Sequence, residues 1–463
     1  MLRYFRINDP YRLLSLFVLL ILASLPALIN MPSMTLHELK DIVLGEGVGD
    51  KLLYVELIDD TPPMMAVADG ILNFFFERSL RSRHVFALVI LFFQAAYFGI
   101  LLINNKAYSE SSYVPSLIFG FLTFFSFDLL AASPELFAST LLLLALNNLF
   151  KEIEFRVDRD SIVLNLGVFL GIASLFVFSY TVFLLGSVFI LVVFARTKFR
   201  KVLLTLFGYG LVHAAVFVLY YCYGEVEDLW THFYVSNFSR IGVGLMDLKS
   251  LFILASVPGA YLLFSIFMLT REARFTKYQS QLFQVMFLWL AIALVQAWIT
   301  PERTPHTFLT FIPPVAYFIS YYLLLIRRKW ISESMLWIFI IGIMTMNLLA
   351  VNNLLGSIDY SGLFPRNSSF AGQVAKKKVM IIGDDISLLQ SNSLSGYFLN
   401  WHLSKKYFEE PDYYENVIKI NKALASDPPD VIVDEDGLMN PFMERIPALK
   451  QTYRKEDRIY WKR

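Results

Sequence analysis

The chain has 463 residues, of which 56% are hydrophobic and only 17% are charged, and its formal net charge is +1. Soluble domains carry about 25% charged residues, so this composition indicates a polytopic membrane protein. The near-zero net charge argues against nucleic acid as a partner. Cys222 is the only cysteine, which excludes an intrachain disulfide and a cysteine metal cluster.

The first predicted element is a membrane helix. Leu13 to Ile29 form an apolar run that follows Arg3, Arg6 and Arg12. The run is long enough to span a bilayer, and no small-residue cleavage pattern ends it. We therefore expect a retained first helix, with the N-terminus in the cytoplasm.

A polar loop, residues 32–83, comes next and concentrates carboxylates, a histidine and turn glycines such as Gly45. Pro62-Pro63 favours an extended entry into the following segment. Met64 to Phe76 then has the pattern of an amphipathic helix, which we expect to lie in the membrane interface.

The rest of the membrane region is a series of apolar runs. A span needs about 20 apolar residues, so two long stretches must each hold two helices, divided at Ser133-Pro134-Glu135 and at Ser179-Tyr180. About eleven transmembrane helices are predicted: Leu13–Ile29, His84–Ile103, Val114–Ala132, Leu136–Phe150, Ile162–Phe178, Thr181–Phe194, Val202–Tyr221, Leu251–Leu269, Leu282–Ile299, Phe308–Ile326 and Met335–Leu355.

Basic residues support this division of the chain. Cytoplasmic loops of membrane proteins are enriched in Lys and Arg. With a cytoplasmic N-terminus, the intervening external turns are short or less basic, and four predicted cytoplasmic connections carry clusters of basic residues: Lys151/Arg156/Arg159, Arg196/Lys198/Arg200/Lys201, Arg271/Arg274/Lys277 and Arg327/Arg328/Lys329. An odd number of helices then places the C-terminus outside.

The sequence changes character after the last predicted helix. We expect a transmembrane domain over residues 1–355, a linker over 356–375 and a small extracytoplasmic α/β domain over 376–463. Val379–Gly383 and Asp430–Val433 read as strands, with a helical stretch around Leu394–Lys406 between them. Strands that alternate with helices favour parallel pairing.

Three groups of residues can carry chemistry on the external side. The loop offers His37-Glu38, Glu56 and Asp59-Asp60, although a solvated loop is the plainer interpretation of any single acid. Glu135 opens a helix, where an acid can serve only to complement the helix dipole. Arg303 and His306 lie in a short turn; the planar fork of Arg303 suits a phosphate, although an interfacial Arg can equally reach lipid headgroups. Arg240 is a further cation.

The order of these features resembles the GT-C superfamily of integral-membrane glycosyltransferases, of the protein O-mannosyltransferase and aminoarabinose-transferase type. His37-Glu38 takes the place of the family's acidic pair, and residues 49–63 are similar to its later loop motif. Glu135 resembles the acid that opens the fourth helix, and residues 167–176 look like the Gly-rich helix that follows. Arg303, His306 and Pro313-Pro314 look like the late Arg…His…Pro turn.

This resemblance implies an inverting transferase whose donor is a polyprenyl-phosphate sugar. Glu38 would inherit the catalytic carboxylate, with Asp59 and Glu135 as further catalytic residues. The remaining candidates are expected to bind substrate: His37, Glu56, Asp60, Arg240, Arg303 and His306. No ligand spacing specifies a metal, so a divalent metal cofactor stays open.

The expected partners are membrane lipid and the lipid-linked sugar; a protein partner is unknown. The expected location is a bacterial inner membrane. The alternative is a non-catalytic membrane scaffold or transporter whose external domain binds a partner. A transporter usually shows polar or broken helices near the midplane, whereas here the charges gather toward one edge.

Overall fold

A computed structural model describes residues 1–155, 159–194, 198–239, 244–272, 275–300, 302–352, 354–366 and 368–463. The predicted cytoplasmic residues Arg156, Arg196 and Arg274 lie outside these ranges. So does Arg240, one of the predicted substrate-binding residues.

Most of the described chain is helical, as the long apolar runs predict. In the first half of the chain the helices are α1 (Leu2–Phe5), α2 (Tyr11–Ile29), α3 (Leu36–Val48), α4 (Pro63–Phe76), α5 (Leu80–Asn104), α6 (Val114–Leu122), α7 (Pro134–Phe155), α8 (Asp160–Ser174), α9 (Thr181–Val193), α10 (Phe199–Tyr223), α11 (Val226–Leu229) and α12 (Ser236–Ser239). A π-helical turn, Trp230–Val235, joins the last two.

The second half continues the pattern and then changes to mixed structure. Its helices are α13 (Leu248–Leu254), α14 (Ser256–Glu272), α15 (Lys277–Ile299), α16 (Ile312–Leu325), α17 (Lys329–Val351), α18 (Trp401–Glu409), α19 (Tyr414–Ser426), α20 (Asn440–Arg445) and α21 (Pro447–Thr452). Its strands are β1 (Lys378–Ile382), β2 (Ser393–Leu394), β3 (Val431–Asp434), β4 (Tyr453–Glu456) and β5 (Ile459–Lys462).

Each of the eleven predicted apolar runs contains a helix, but not all of these helices are long. Within the described residues, seven are long and apolar enough to cross a membrane: Tyr11–Ile29, Leu80–Asn104, Pro134–Ile153, Phe199–Tyr223, Lys277–Ile299, Pro305–Leu325 and Lys329–Ala350. The pair α13 and α14, bent by 65°, brings the number to eight if it forms one span. A helical protein with several candidate spans is therefore confirmed, whereas the count of eleven stays a prediction.

The chain divides into two compact units, each built from three segments. The first unit comprises Met1–Ser33, Ser79–Ala215 and Ile241–Gly362. The second comprises Met34–Arg78, Val216–Arg240 and Leu363–Arg463. The sequence did not indicate that the polar loop over residues 32–83 and the C-terminal segment would fall in one unit.

Close helix packing in the first unit depends on small residues. A Cβ atom at Gly167 of α8 would lie 2.0 Å from the carbonyl oxygen of Thr205 in α10. A Cβ atom at Gly208 of α10 would lie 2.4 Å from the carbonyl oxygen of Leu164 in α8. The two backbones therefore touch, and small residues allow such an approach between membrane helices.

The second unit contains a mixed sheet with strand order β2-β1-β3-β5-β4 in the part of the chain that the structure describes. β1 pairs in parallel with β2 and β3, and β5 runs antiparallel to β3 and β4. β1 and β3 bury nearly every side chain, as parallel strands covered on both faces do. The two predicted strands and their parallel pairing are confirmed.

Two local predictions in this unit were wrong. Gly45 lies inside helix α3 and not in a turn; the site has no room for a side chain, since a Cβ there would lie 2.4 Å from the carbonyl oxygen of Asp69 in α4. The helix expected from Leu394 begins only at Trp401. Ser393–Leu394 instead extend the sheet as β2, Gly396 has a φ of +80°, and the Asn400 side chain caps α18.

The loop contributes to the core of the C-terminal segment. Ile58 is fully buried in the same apolar cluster as Met380, Phe398 and Ile432. Its backbone N–H donates to the carbonyl of Tyr397 at 2.6 Å, and its carbonyl accepts from Asn400 at 3.1 Å. The end of the loop is therefore held to the C-terminal segment by backbone hydrogen bonds as well as by apolar burial.

Candidate functional site

The predicted catalytic Glu38 lies in the first turn of α3. Thr35 is the N-cap, and the backbone N–H and the hydroxyl of Thr35 each donate to Glu38 Oε2 at 2.9 Å. The Glu38 N–H donates in return to Thr35 Oγ1 at 3.3 Å. This is a capping box, whose sequence signature is Ser or Thr followed three residues later by Glu or Gln. The Glu38 carboxylate therefore has a structural role, and His37 beside it is half-buried.

Asp59 and Asp60 form the most buried acidic pair in the loop. Their side chains are 0% and 4% exposed, and Lys40 of α3 reaches both, at 3.1 Å and 3.2 Å. Asp59 also accepts from the backbone N–H of Thr61 at 3.1 Å and from its hydroxyl. A buried carboxylate is tolerated only when it is paired and hydrogen-bonded, and Lys40 pairs with both acids.

Further donors reach Asp60 from distant parts of the second unit. The Asn400 amide donates to the Asp60 carboxylate at 2.9 Å, and the Asn237 amide donates to its backbone carbonyl at 2.8 Å. Asn400 is also the N-cap of α18, so the C-terminal segment directly positions this loop carboxylate. Asp60 is thereby fixed by three side chains that the sequence analysis did not single out.

Tyr54 supports the same corner of the loop. It is fully buried, and its hydroxyl donates to the Thr61 carbonyl at 2.7 Å. Burial raises the pKa of the Tyr54 phenol well above its ordinary value, with Tyr220 and the nearby acids adding to the effect. Its backbone φ of +71° is unusual for a residue with a side chain, and such backbones persist only where surrounding contacts impose them.

In the first unit, Glu135 is the second residue of α7. The Ser133 hydroxyl accepts the Leu136 N–H at 3.3 Å, so the helix start is capped by a serine. Gln94 of α5 donates to the Leu136 carbonyl at 2.8 Å and holds the first turn in place. The half-buried Glu135 carboxylate itself forms no hydrogen bond or ion pair to any described residue, so its oxygens remain available to a ligand.

His306 and Asp128 meet in the first unit. His306 Nε2 lies 3.5 Å from Asp128 Oδ2, and both side chains are about 5% exposed or less. The Ser126 hydroxyl donates to the other carboxylate oxygen. Tyr360 packs against the neighbouring Phe127, with ring centres 5.7 Å apart, and burial and then the Asp128 charge raise the pKa of its phenol. His306 is therefore paired with an acid of the same unit.

Arg303 lies three residues before His306 and is half-buried. Its guanidinium carbon lies 5.4 Å from the centre of the Trp298 ring, within the range of a cation–π contact. Its carbonyl accepts from the Met246 N–H at 3.3 Å. Arg303 forms no ion pair with a carboxylate of any described residue. Its positive charge therefore suits an anionic ligand.

The predicted site residues thus fall in two groups. His37, Glu38, Glu56, Asp59 and Asp60 belong to the second unit, where Asp59 and Asp60 share Lys40. Glu56 lines a polar cavity of that unit and accepts from Leu52 N–H at 3.3 Å. Glu135, Arg303 and His306 belong to the first unit.

No group of three or more His, Cys, Asp or Glu side chains arranged to hold a metal ion is found among the described residues. A divalent metal cofactor is therefore neither indicated nor excluded. The carboxylates that the loop does bring together, Asp59 and Asp60, are already paired with Lys40.

Sequence reasoning missed Lys40, Asn237, Asn400 and Tyr54. Lys40 carried one usable signal: it lies one helical turn after residues 36 and 37, on a helix that begins at Thr35. Asn237 and Asn400 carried none, because they are about 180 and 340 residues from Asp60 along the chain. Their role depends on tertiary contacts.

Comparison with known proteins gives a structural likeness only. No protein-family model matches the chain, and no curated protein matches it by sequence. Among solved structures, ArnT from Cupriavidus metallidurans, crystallised with undecaprenyl phosphate, is similar with a TM-score of 0.57 and 11% identity, over 96% of this chain and 97% of that one. An oligosaccharyltransferase from Archaeoglobus fulgidus matches with a TM-score of 0.43 and 10% identity, over 78% of this chain and 57% of that one, too weakly to support an argument. The likeness to ArnT extends over nearly the whole of both chains, and the protein therefore shares the fold of ArnT.

Proposed function

We propose that this chain is a membrane glycosyltransferase that moves a sugar from a polyprenyl-phosphate donor to an acceptor on the extracytoplasmic side. The observation that carries the proposal is the likeness in fold to ArnT, a protein crystallised with undecaprenyl phosphate. We place the chain in a bacterial inner membrane, with its N-terminus in the cytoplasm and its C-terminus outside. The basic residues of the connections between helices support this orientation.

The proposed reaction inverts the sugar at its anomeric carbon. An acceptor hydroxyl oxygen attacks that carbon, and the bond from the carbon to the phosphate oxygen breaks. The hydroxyl proton passes to a carboxylate, and the polyprenyl phosphate leaves with the bonding electrons. A general base of this kind contributes about 100-fold or more to a rate.

We assign the base to Glu38, with Asp59 and Glu135 as further catalytic residues. Glu38 can act only if its carboxylate exchanges the Thr35 hydroxyl for an acceptor hydroxyl, and catalytic contacts often form only once substrate is bound. Asp59 with its Lys40 partner would keep the loop in place. Glu135, whose oxygens have no described partner, is the acid with the fewest competing contacts.

The leaving phosphate needs a cation. Arg303 is proposed for this role, because a guanidinium matches phosphate geometry and stabilises the charge that builds on the leaving group. His306 would support it from the same turn. His37, Glu56, Asp60 and Arg240 complete the proposed set of substrate-binding residues.

A non-catalytic scaffold is the second candidate, and two observations favour it. The Glu38 carboxylate is occupied by the capping box, and Asp59 and Asp60 are both ion-paired with Lys40. In such a protein the carboxylates would only stabilise the loop.

Glu38→Gln separates the two functions, because Gln also completes a capping box and so keeps the fold. The assay follows release of undecaprenyl phosphate from a panel of synthetic undecaprenyl-phosphate hexoses and pentoses, using the chain in native membranes. The wild type is expected to turn over at least one donor, and Glu38→Gln to lower the rate about 100-fold or more.

Glu444→Gln, on the exposed surface of α20, is the matched control and should keep the full rate. Full activity of Glu38→Gln would remove Glu38 as the base. Turnover of no donor in the panel would favour the scaffold.

A further inference from the structure

A polar cavity of about 920 Å³ lies entirely within the second unit. Its sheet wall is built at the amino-terminal ends of the parallel strands β1, β2 and β3, from residues that include Lys376, Lys377 and Asp430. Its loop wall is the end of α3 and the segment after it, including Asp50 and Glu56. The volume is in the range of cavities that bind small molecules.

Ion pairs fix the two walls to each other. Lys51 of the loop lies 2.6 Å from Asp427 and donates to the carbonyl of Gly396 at 2.8 Å. Burial alone would raise the pKa of Asp427, but Lys51 and then Lys378 outweigh it and hold the pKa below its ordinary value. Arg78 donates to both carboxylate oxygens of Glu46, at 2.5 Å and 2.7 Å, and to the carbonyl of Asn392 at 2.8 Å. The cavity is therefore preformed.

The two walls carry net charges of opposite sign, because Asp430, which accepts from the backbone N–H of Lys378 at 3.1 Å, offsets only part of the positive charge of the sheet wall. Asp50 and Glu56 on the loop wall, and Lys376 and Lys377 on the sheet wall, form no ion pair with any residue that the structure describes. Lys376 has a φ of +55°, and its N–H donates to the Ser391 carbonyl at 3.2 Å. A residue with a side chain rarely adopts this backbone conformation, which persists only where surrounding contacts impose it.

The remaining lining adds hydroxyl groups. Ser391 and Ser393 offer donors and acceptors to a ligand, whereas the Asn392 amide, the Ser426 hydroxyl and the buried Tyr397 side chain are already engaged within the fold. A saccharide presents many hydroxyls, which the two serines can bind. The two lysines match a phosphate or carboxylate, and the two acids match an ammonium group.

We propose that this cavity binds an amphoteric saccharide, one that carries both an anionic group and an amino group. The lysines of the sheet wall hold the anionic group, and the acids of the loop wall hold the amino group. This inference goes beyond the proposed transfer reaction, because the cavity can bind such a sugar whether or not the chain transfers one.

The test is calorimetric titration of the full chain in lipid nanodiscs with glucosamine 6-phosphate, which carries both groups. Glucose 6-phosphate lacks the ammonium, and glucosamine lacks the phosphate, so each should bind about tenfold more weakly or worse. Lys377→Gln should weaken glucosamine 6-phosphate about tenfold and leave glucosamine unchanged. Glu56→Gln should weaken glucosamine 6-phosphate similarly and leave glucose 6-phosphate unchanged.

Lys450→Gln and Glu444→Gln, both exposed elsewhere in the C-terminal segment, are the matched controls and should not change binding. Equal affinity for the three sugars, an absence of binding at millimolar concentration, or insensitivity to both cavity variants would overturn the proposal. Because no donor is present, this result is separate from that of the turnover assay.

Discussion

At the scale of single residues, Lys40 is the cation that pairs with the buried acids of the loop. It is 26% exposed and pairs with two acids that are almost fully buried. Removing one partner from a buried ion pair leaves an uncompensated charge, which costs more than the pair itself contributes. Lys40 therefore matters for stability in either proposed function.

Lys40→Met is expected to lower the free energy of unfolding by about 2–3 kcal/mol, somewhat less than for a fully buried pair because Lys40 is partly solvated. Denaturant unfolding of the chain in detergent measures the change. Adding Asp59→Asn to Lys40→Met should recover part of the loss. Lys405→Met, which removes a surface pair with Glu409, should change stability by less than about 1 kcal/mol.

His232 is a second residue that should affect stability, through the pH dependence of unfolding. It is buried, with Nδ1 3.6 Å from Asp228 and Nε2 3.5 Å from the Tyr407 hydroxyl, while Lys406 and Lys419 act on it from the C-terminal segment. Burial lowers the pKa of His232 to about 4. The folded chain thus keeps this ring neutral at a pH where the unfolded chain, with an ordinary pKa of about 6.5, binds a proton.

Stability is therefore expected to be unaffected by this group above about pH 6.5, to fall as the pH drops, and to level off below about pH 4. The loss is at most about 3 kcal/mol. His232→Gln should flatten this part of the stability profile, measured by thermal unfolding across the same range, while the exposed His402→Gln should leave it unchanged. An identical profile for His232→Gln and the wild type would contradict the assignment.

At the scale of elements, the packing of α8 against α10 depends on the absence of side chains. Gly208 and Gly210 are two residues apart in α10, yet their surroundings differ. A Cβ at Gly208 would collide with the backbone of α8, whereas a Cβ at Gly210 would meet nothing within 4 Å. The two glycines therefore form a matched pair for testing whether the backbones of α8 and α10 approach closely at Gly208.

Gly208→Ala is expected to destabilise the chain by about 1–3 kcal/mol, because the two backbones must move apart. Gly210→Ala should instead stabilise it by about 0.5–1 kcal/mol, the ordinary gain of alanine over glycine within a helix. Thermal unfolding of the two variants side by side measures the contrast. Equal effects would mean that α8 and α10 are not in contact at Gly208.

Helices and strands of the described chain follow from local signals where a long apolar run or a capping residue is present. Helix α4 was expected over Met64–Phe76 and extends over Pro63–Phe76. Met65 and Leu72 are buried, while Phe74 and Phe75 are 81% and 69% exposed, so the helix carries apolar side chains on its exposed side as well as on its buried side. Its place in the membrane interface stays a prediction.

At the scale of the whole molecule, the orientation in the membrane is open to a direct test through Cys222. This sole cysteine is exposed near the end of α10, which the proposed orientation places outside. A membrane-impermeant maleimide should therefore label Cys222 in intact inner-membrane spheroplasts without lysis.

The control variant combines Cys222→Ser with Arg327→Cys, which moves the thiol to a predicted cytoplasmic connection. It should be labelled only after lysis. Labelling of this control in intact spheroplasts, or of the wild type only after lysis, would reverse the orientation.

The sequence by itself determined the features that depend on local composition and periodicity. Apolar runs specified where helices occur and short buried runs specified β1 and β3, whereas α3 was missed although Thr35 and Glu38 at its start carry the local signature of a capping box. The order of acidic and basic motifs was enough to indicate the fold that this chain shares with ArnT.

Only the tertiary structure decided which partners the polar side chains find. Lys40 joined Asp59 to Asp60, and Asn237 and Asn400 reached the loop from about 180 and 340 residues away. Such contacts depend on long-range packing, which leaves no periodic signal in the sequence, and burial then makes each unsatisfied polar group costly. That cost is the physical reason why these particular residues are brought together.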